Sequence, residues 1–373
     1  MAFPRITAWI LFLGAWAAEA QAQEWRPKDP RIPAADIDRA IRRGLGWLHA
    51  QPVKTAVPGN RLEDTNELVL YTLLHGGVAS GDPVVTEYLR ELILREPDRV
   101  YNVALGAMAL AKLDRAGYQW KIAHQAQFLV DNQCENGQWA YGSPVEWDPR
   151  VTGEWAVPKS GLYGTKLPPG VHPVPGKTAV GGRRLMIRQR ARVTKTGDNS
   201  NSQYAALGLR ACAEADVQVD SRCLADGLRW WEGDQNLDGS WGYSRGEDDA
   251  GRATMTAGGV GSLVIFRWLL HKPWAEDAHV RKGMQWLDAG VPGKLPKWHI
   301  YYLYGVERAG MLYGTDLIGT RDWYDEGAAW LIAHQMENGS WKNESDTCFA
   351  ILFLKRATAP LPGVATGGRL QER

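Results

Sequence analysis

Three segments of the chain share one spelling: an aromatic and an apolar residue, three further residues, Gln, three more, then Gly-x-Trp. Phe128-Leu129 leads to Gln133 and Gly137-Gln138-Trp139, Trp230-Trp231 to Gln235 and Gly239-Ser240-Trp241, and Trp330-Leu331 to Gln335 and Gly339-Ser340-Trp341. Self-similarity over tens of residues signals a repeat architecture and has to be read before any single element. The front half recurs as Arg43-Gly44 with Trp47-Leu48 and as Lys282-Gly283 with Trp286-Leu287, and more weakly at Tyr88-Leu89. Six anchors result, at positions 47, 88, 128, 230, 286 and 330, spaced 40 to 56 apart except where residues 143–197 are inserted after the third. The 18 Trp, against only 6 Phe in 373 residues, are placed mostly by this pattern.

Between the anchors lie second runs, Leu68 to Leu74, Val103 to Leu113, Tyr204 to Ala213, Thr256 to Leu270, Tyr301 to Leu312 and Phe349 to Leu354. Their apolar residues recur at three- and four-residue spacing over lengths that favour helix over strand. Each repeat is therefore a helix pair, with the more charged helix outside and the apolar one inside. Six inner and six outer helices predict an all-α fold, an (α/α)6 toroid over 37–357 carrying the long insertion 143–197. The alternative is an open solenoid of the same pairs.

The Gln-x-x-x-Gly-x-Trp signature, preceded by Lys/Arg-Gly-x-x-aromatic-apolar, resembles the QW repeat of the terpenoid cyclase and protein prenyltransferase superfamily, whose members share an α/α toroid. The resemblance covers roughly 37–357. It implies the fold more than a chemistry, because the Gly ends the outer helix, the Trp covers the turn and the Gln amide serves unpaired helix ends.

Residues before the repeats read differently. Arg5 precedes an apolar run, Ile6 to Ala18, which ends in Ala20-Gln21-Ala22. This predicts a signal peptide over 1–22 and a periplasmic or secreted protein. A linker over 23–36, a flexible tail over 358–373 and no membrane span after cleavage complete the expected organisation. Export would permit a disulfide between Cys212 and Cys223, with two buried thiols as the alternative. With 43 Lys+Arg against 42 Asp+Glu, the net charge of +1 gives no long-range attraction for nucleic acid, and none is expected as a partner. We expect a monomer.

A closed ring places chemistry in its bore, at the turns that start the inner helices. Those turns carry Glu63, Asp64 and Glu67; Arg99, Tyr101 and Asn102; Asp198 through Tyr204; Thr254 and Thr256; Trp298, His299, Tyr301, Tyr302 and Tyr304; and Ser345, Asp346 and Cys348. Any one of the Asp, Asn, Ser or Thr residues is explained as a helix cap. Together they predict a polar, aromatic-rimmed funnel. We expect Asp346, His299 and Asn201 as its reactive groups, and Tyr101, Asn102, Asn199, Gln203, Tyr204, Trp298, Tyr301 and Tyr302 as its binding surface.

The resemblance supplies two chemical comparisons. Class II cyclases protonate an alkene from a D-x-D-D-T-A motif, but Asn343-Glu344-Ser345-Asp346-Thr347-Cys348 has Ser where the acid should stand. The other acidic cluster, Glu247-Asp248-Asp249, sits among glycines as a turn. Prenyltransferases hold zinc with Asp-x-Cys and a later His; Asp346, Cys348 and His299 supply those ligand types with the His in the wrong order, so no cofactor is expected. Toroids also host glycoside hydrolases and polysaccharide lyases, which need aromatic platforms and carboxylates. The open readings are an isoprenoid or glycan ligand in the bore, a glycan-processing enzyme, or a non-catalytic binding scaffold. The insertion carries ten Lys/Arg and ends in the alternating run Leu185 to Val193, which predicts a hairpin or extended arm, either a surface loop or a flap over one mouth.

Overall fold

A computed structural model describes residues 32–54, 65–146, 185–192, 194–244, 251–289 and 298–361. The expected signal peptide, Glu63, Asp64, the Glu247-Asp248-Asp249 cluster, insertion residues 147–184 and the end of the tail lie outside the described residues.

Twelve helices run in six pairs among the described residues. The outer ones are α1 (Ala34–His49), α3 (Pro83–Leu94), α5 (Gln119–Asp131), α7 (Ser221–Gly233), α9 (Ala278–Ala289) and α11 (Trp323–Ala333). The inner ones are α2 (Asn66–Gly76), α4 (Val100–Asp114), α6 (Asn199–Glu214), α8 (Ala253–Leu269), α10 (His299–Tyr313) and α12 (Glu344–Leu354). Every anchor falls on an outer helix and every apolar run on an inner one. Inner helices pack in order from α2 to α12, and α12 packs back on α2, which closes the ring and excludes the open solenoid. The fold is an all-α toroid.

Local chemistry starts and stops these helices. Asp82, Asp198, Asp220, Asp322 and Asn343 each accept a backbone N–H from the first turn of the helix they precede. Gly77 and Gly314 end α2 and α10 at φ of 88° and 87°, the left-handed conformation that favours glycine.

The three full signatures form the same clasp. Trp139, Trp241 and Trp341 donate their indole N–H to the carbonyl ten residues earlier at 2.7, 2.9 and 2.8 Å. Their backbone N–H groups reach Ser202, Thr256 and Thr347 in the first turn of the following inner helix. Each Gln amide donates to its own turn glycine and to a carbonyl of the next outer helix: Gln133 to Cys223, Gln235 to His279 and Gln335 to Ala40, at 2.8–2.9 Å. The last of these joins α11 to α1 and seals the ring. Gly239 and Gly339 lie at φ of 94° and 90°, and a Cβ at either would stand 2.6 Å from the carbonyl of Lys282 or Arg43. The Lys/Arg-Gly pair of one repeat is thus the seat for the Gly-x-Trp turn of the repeat before it.

Two boundaries differ from expectation. Helix α1 begins at Ala34, inside the expected linker. Thr358 and Leu361 are buried, so the expected tail starts as packed structure: Thr358 bonds Glu307, and Ala359 accepts from Arg210. The described end of the insertion is an extended arm, with β1 (Leu185–Ile187) paired in parallel to β2 (Val217–Val219). Arg190 ion-pairs with Asp131, and Gln189 donates to Val130. The arm therefore covers α5, which explains why this outer helix is buried almost throughout. A short hairpin of β3 (Leu317–Ile318) and β4 (Arg321–Asp322) precedes α11.

Candidate functional site at the mouth of the ring

Aligning the inner helices at their first residues puts Tyr71, Leu105, Tyr204, Gly258, Tyr304 and Phe349 in one register, the sixth position of each. Four are aromatic, and they converge with their neighbours on the axis. Tyr101 and Tyr204 have ring centroids 4.4 Å apart, Tyr204 and Tyr301 stack at 6.5 Å, and Phe349 lies 5.2 Å from Tyr301 and 5.4 Å from Tyr304. Gly258 leaves space for Gln203, whose amide donates to the Tyr301 hydroxyl and accepts from Arg308 at 2.9 Å each. The axis is therefore filled by side chains, where the sequence predicts an open funnel.

Above this layer is a shallow mouth, at the end where the inner helices begin. The Tyr101 hydroxyl donates to Ser200 at 2.7 Å, and Ser200 donates to Asp198 at 2.8 Å. Tyr243, 37% exposed, lies 3.3 Å from the same serine hydroxyl. Tyr101, Tyr301 and Phe349 are half-buried. Arg99 sits over the Tyr141 ring at 5.5 Å. Burial pushes the phenols of Tyr101 and Tyr301 well above their ordinary range, so both stay neutral.

Carboxylates at the mouth are engaged. Asp198 caps α6 and also accepts from the Asn201 amide at 2.7 Å. Asp346 pairs with Asn343 at 3.0 Å, and burial raises its pKa. Glu344 binds Lys54 and Thr65. Glu67 binds Arg95 at 3.0 Å and Asn102 at 2.7 Å. At the opposite end, Glu307 accepts the Thr358 N–H and hydroxyl, both at 2.8 Å, and burial pushes it up to about 7.

Several expected site residues belong elsewhere. The trio Asp346, His299 and Asn201 does not converge: His299 stands edge-on to Trp330 of α11 at 4.4 Å, with its pKa lowered to about 4 by burial, and the other two serve helix caps. Asn199 faces the α7 turn, bonding Asp234, Gly242 and the Trp230 indole. Asn102 is tied to Glu67. Tyr302 lies beside His299, and Trp298 is 63% exposed on the rim. Tyr101, Gln203, Tyr204 and Tyr301 do come together. The zinc-type set is dispersed as well, since Cys348 is buried beside Thr72 of α2, away from His299. No group of three His, Cys, Asp or Glu among the described residues is placed to hold a metal. All four cysteines are free and buried; Cys212 points at the Ile122 carbonyl of α5, so the expected bridge to Cys223 is not formed.

Arg308 and Phe349 are axial residues not anticipated from sequence, whereas Tyr304 was expected among the turns that line the bore. The available signal was twofold: Tyr301, Tyr304 and Arg308 follow a three- and four-residue stripe, and Tyr304 and Phe349 share the register of Tyr204. Two clefts lie off the axis. One, of about 10 Å³, is lined by Glu67, Arg95, Lys121 and Gln125; the other, of about 180 Å³, lies between Asn136 and α7.

No family model matches the chain, and no curated protein matches it. Solved structures do resemble it. The GH76A alpha-1,6-mannanase from Salegentibacter sp. HEL1_6 has a TM-score of 0.54 at 10% identity, over 86% of this chain and 98% of that one. An aspartate variant of the type II terpene cyclase MstE from Scytonema, in complex with geranylgeranyl dihydroxybenzoate, has a TM-score of 0.50 at 11% identity, over 87% and 97%. A possible GH105 member from Salmonella enterica has a TM-score of 0.50 at 10% identity, over 89% and 96%. The chain is a divergent α/α toroid. No helix among the described residues is long and apolar enough to cross a membrane.

Proposed function

We propose that the chain is a non-catalytic scaffold that receives a saccharide at the mouth where the inner helices begin. One observation carries this reading: Asp198 caps α6, Glu344 and Glu67 each hold a cation and Asp346 is bonded to the cap residue Asn343, while Tyr101, Tyr301, Phe349 and Tyr243 keep partly exposed rings. Glycan cleavage needs a positioned acid with a second carboxylate or a base opposite it. Binding a sugar needs only flat aromatic faces and a few fixed polar groups. A long isoprenoid would require a deep apolar cavity, and Tyr204, Tyr304 and Arg308 occupy that volume. The neighbours include both glycoside hydrolases and a terpene cyclase, so the ring alone does not choose between these ligands; the mouth favours the sugar. The leader-like residues 1–22 support a location outside the cytosol, where glycans are abundant.

Titration calorimetry of the purified chain against a panel of oligosaccharides, followed by chromatography of the mixtures, tests the proposal. We expect binding without new reducing ends, weakened about tenfold or more by Tyr101→Ala or Tyr301→Ala, the loss typical of removing an aromatic anchor. Turnover that disappears in Asp198→Asn would replace the scaffold with an enzyme.

A further inference from the structure

Arg308 is 3% exposed on the axis of the ring, one layer beneath the mouth. A buried guanidinium is ordinarily matched by a carboxylate, because desolvating an unpaired charge costs several kcal/mol. Here Nη2 donates to Gln203 at 2.9 Å, and the guanidinium lies against two tyrosines, with ring centroids at 4.2 Å for Tyr304 and 5.7 Å for Tyr204. Its Nη1 has no partner, and neither has the neighbouring Tyr304 hydroxyl. Glu307, the adjacent acid in the chain, turns both oxygens to Thr358 instead. Arg308 makes no ion pair among the described residues.

We infer that Arg308 Nη1 and the Tyr304 hydroxyl form a monoanion site at the floor of the mouth, which takes the carboxylate of an acidic saccharide such as a uronate. This rests on the saccharide reading above and narrows it to a charged class. The geometry fits a carboxylate better than a phosphate dianion, because there is one positive charge with two free donors. Phe349 supplies the route. It is half-buried, touches Tyr301 at the rim and Tyr304 at the floor, and is the side chain whose rotation would join the donors to solvent. The sugar ring would then lie against Tyr101 and Tyr301 with its carboxylate directed down the axis.

Three probes test the inference on the full chain by titration calorimetry at low ionic strength: trigalacturonate, its fully methyl-esterified and therefore neutral form, and acetate. We expect the acid to bind about tenfold tighter than the ester, the ratio that one charge-assisted hydrogen bond supplies. That preference should vanish in Arg308→Gln and shrink several-fold in Tyr304→Phe, which keeps the ring and its packing. Phe349→Ala should speed association. Equal binding of acid and ester, or a preference that survives both axial substitutions, overturns the anion site and leaves the saccharide mouth intact. Acetate binding that needs Arg308, with nothing gained from the sugar, supports the anion site and removes the saccharide reading. Binding of no probe overturns both.

Discussion

The rim of the ring and its axis obey different rules. At the rim, three clasps repeat the same bonds to within a few tenths of an ångström, from Gln, Gly and Trp at the same offsets. On the axis, the six equivalent positions hold Tyr, Leu, Tyr, Gly, Tyr and Phe, and their partners differ in each case. Repetition is imposed where neighbouring pairs must join; the centre is left free to vary, and any specificity of the protein resides there. The sharpest way to separate the two is to remove a clasp. Trp341 is buried and seals α11, α12 and α1, so Trp341→Ala should cost about 3–5 kcal/mol in urea unfolding. Trp298→Ala, at an exposed position, should change stability by less than about 0.5 kcal/mol.

Glu307 on an inner helix and the buried histidines give the fold pH dependences of opposite sign. Glu307 is protonated more readily when folded, with its pKa raised by burial to about 7, than when unfolded near 4.5. Between those values the folded state binds more protons, so this group's contribution to stability falls as pH rises from about 4.5 to about 7, on the order of 3 kcal/mol in all. His75, His124 and His299 act oppositely. Burial lowers their pKa to about 3, 4 and 4, so they favour unfolding as pH falls below about 6.5. Subtracting the unfolding curve of Glu307→Gln from that of the unsubstituted chain at each pH isolates the glutamate. A difference that stays flat from pH 4.5 to 7 would mean that Glu307 does not sense its burial.

A smaller effect compares clasps with one another. Gln133 is fully buried, and its loss leaves the Cys223 carbonyl without its donor; Gln133→Ala should cost about 2 kcal/mol. Gln335→Ala should cost about half of that by the same rule. Its seam is partly open to water, and Arg43 continues to hold the carbonyls of Met336 and Glu337. Equal losses in calorimetric unfolding would show that solvent exposure does not grade the clasps.

The rim was legible in the sequence because its physics is local and repeated: a glycine at positive φ, a tryptophan and an amide must occur at set offsets for the turn to close. Six pairs and their inner and outer faces follow from that spacing, whereas closure rather than an open solenoid is decided by α12 packing back on α2. The axis was only half legible. Tyr101, Gln203, Tyr204 and Tyr301 were anticipated, because they sit at helix starts where polar and aromatic residues stand out. Asn199 and His299 sit at similar starts but point outward, since adjacent residues of a helix are about 100° apart and a start alone does not set the face. Arg308 was missed because it lies two turns inside a helix whose burial makes a charge unexpected. The extended arm hid its role in another way: its alternation indicated a strand, while its cover over α5 depends on pairing with residues some thirty positions away.

The mildest test concerns the mouth. In Tyr101→Phe the ring contact with Tyr204 at 4.4 Å is kept, and only the hydroxyl that donates to Ser200 is lost. Ser200 retains its bond to Asp198, so the α6 cap and its first turn remain intact. Tyr101 is half-buried, and the buried Ser200 hydroxyl still has the partly exposed Tyr243 hydroxyl 3.3 Å away. The cost should therefore be about 0.5–1 kcal/mol, below that of removing Gln133. Thermal unfolding measures it directly. A loss as large as that of Gln133→Ala would mean that the mouth holds the ring together as the clasps do, and the division between a joining rim and a free centre would fail.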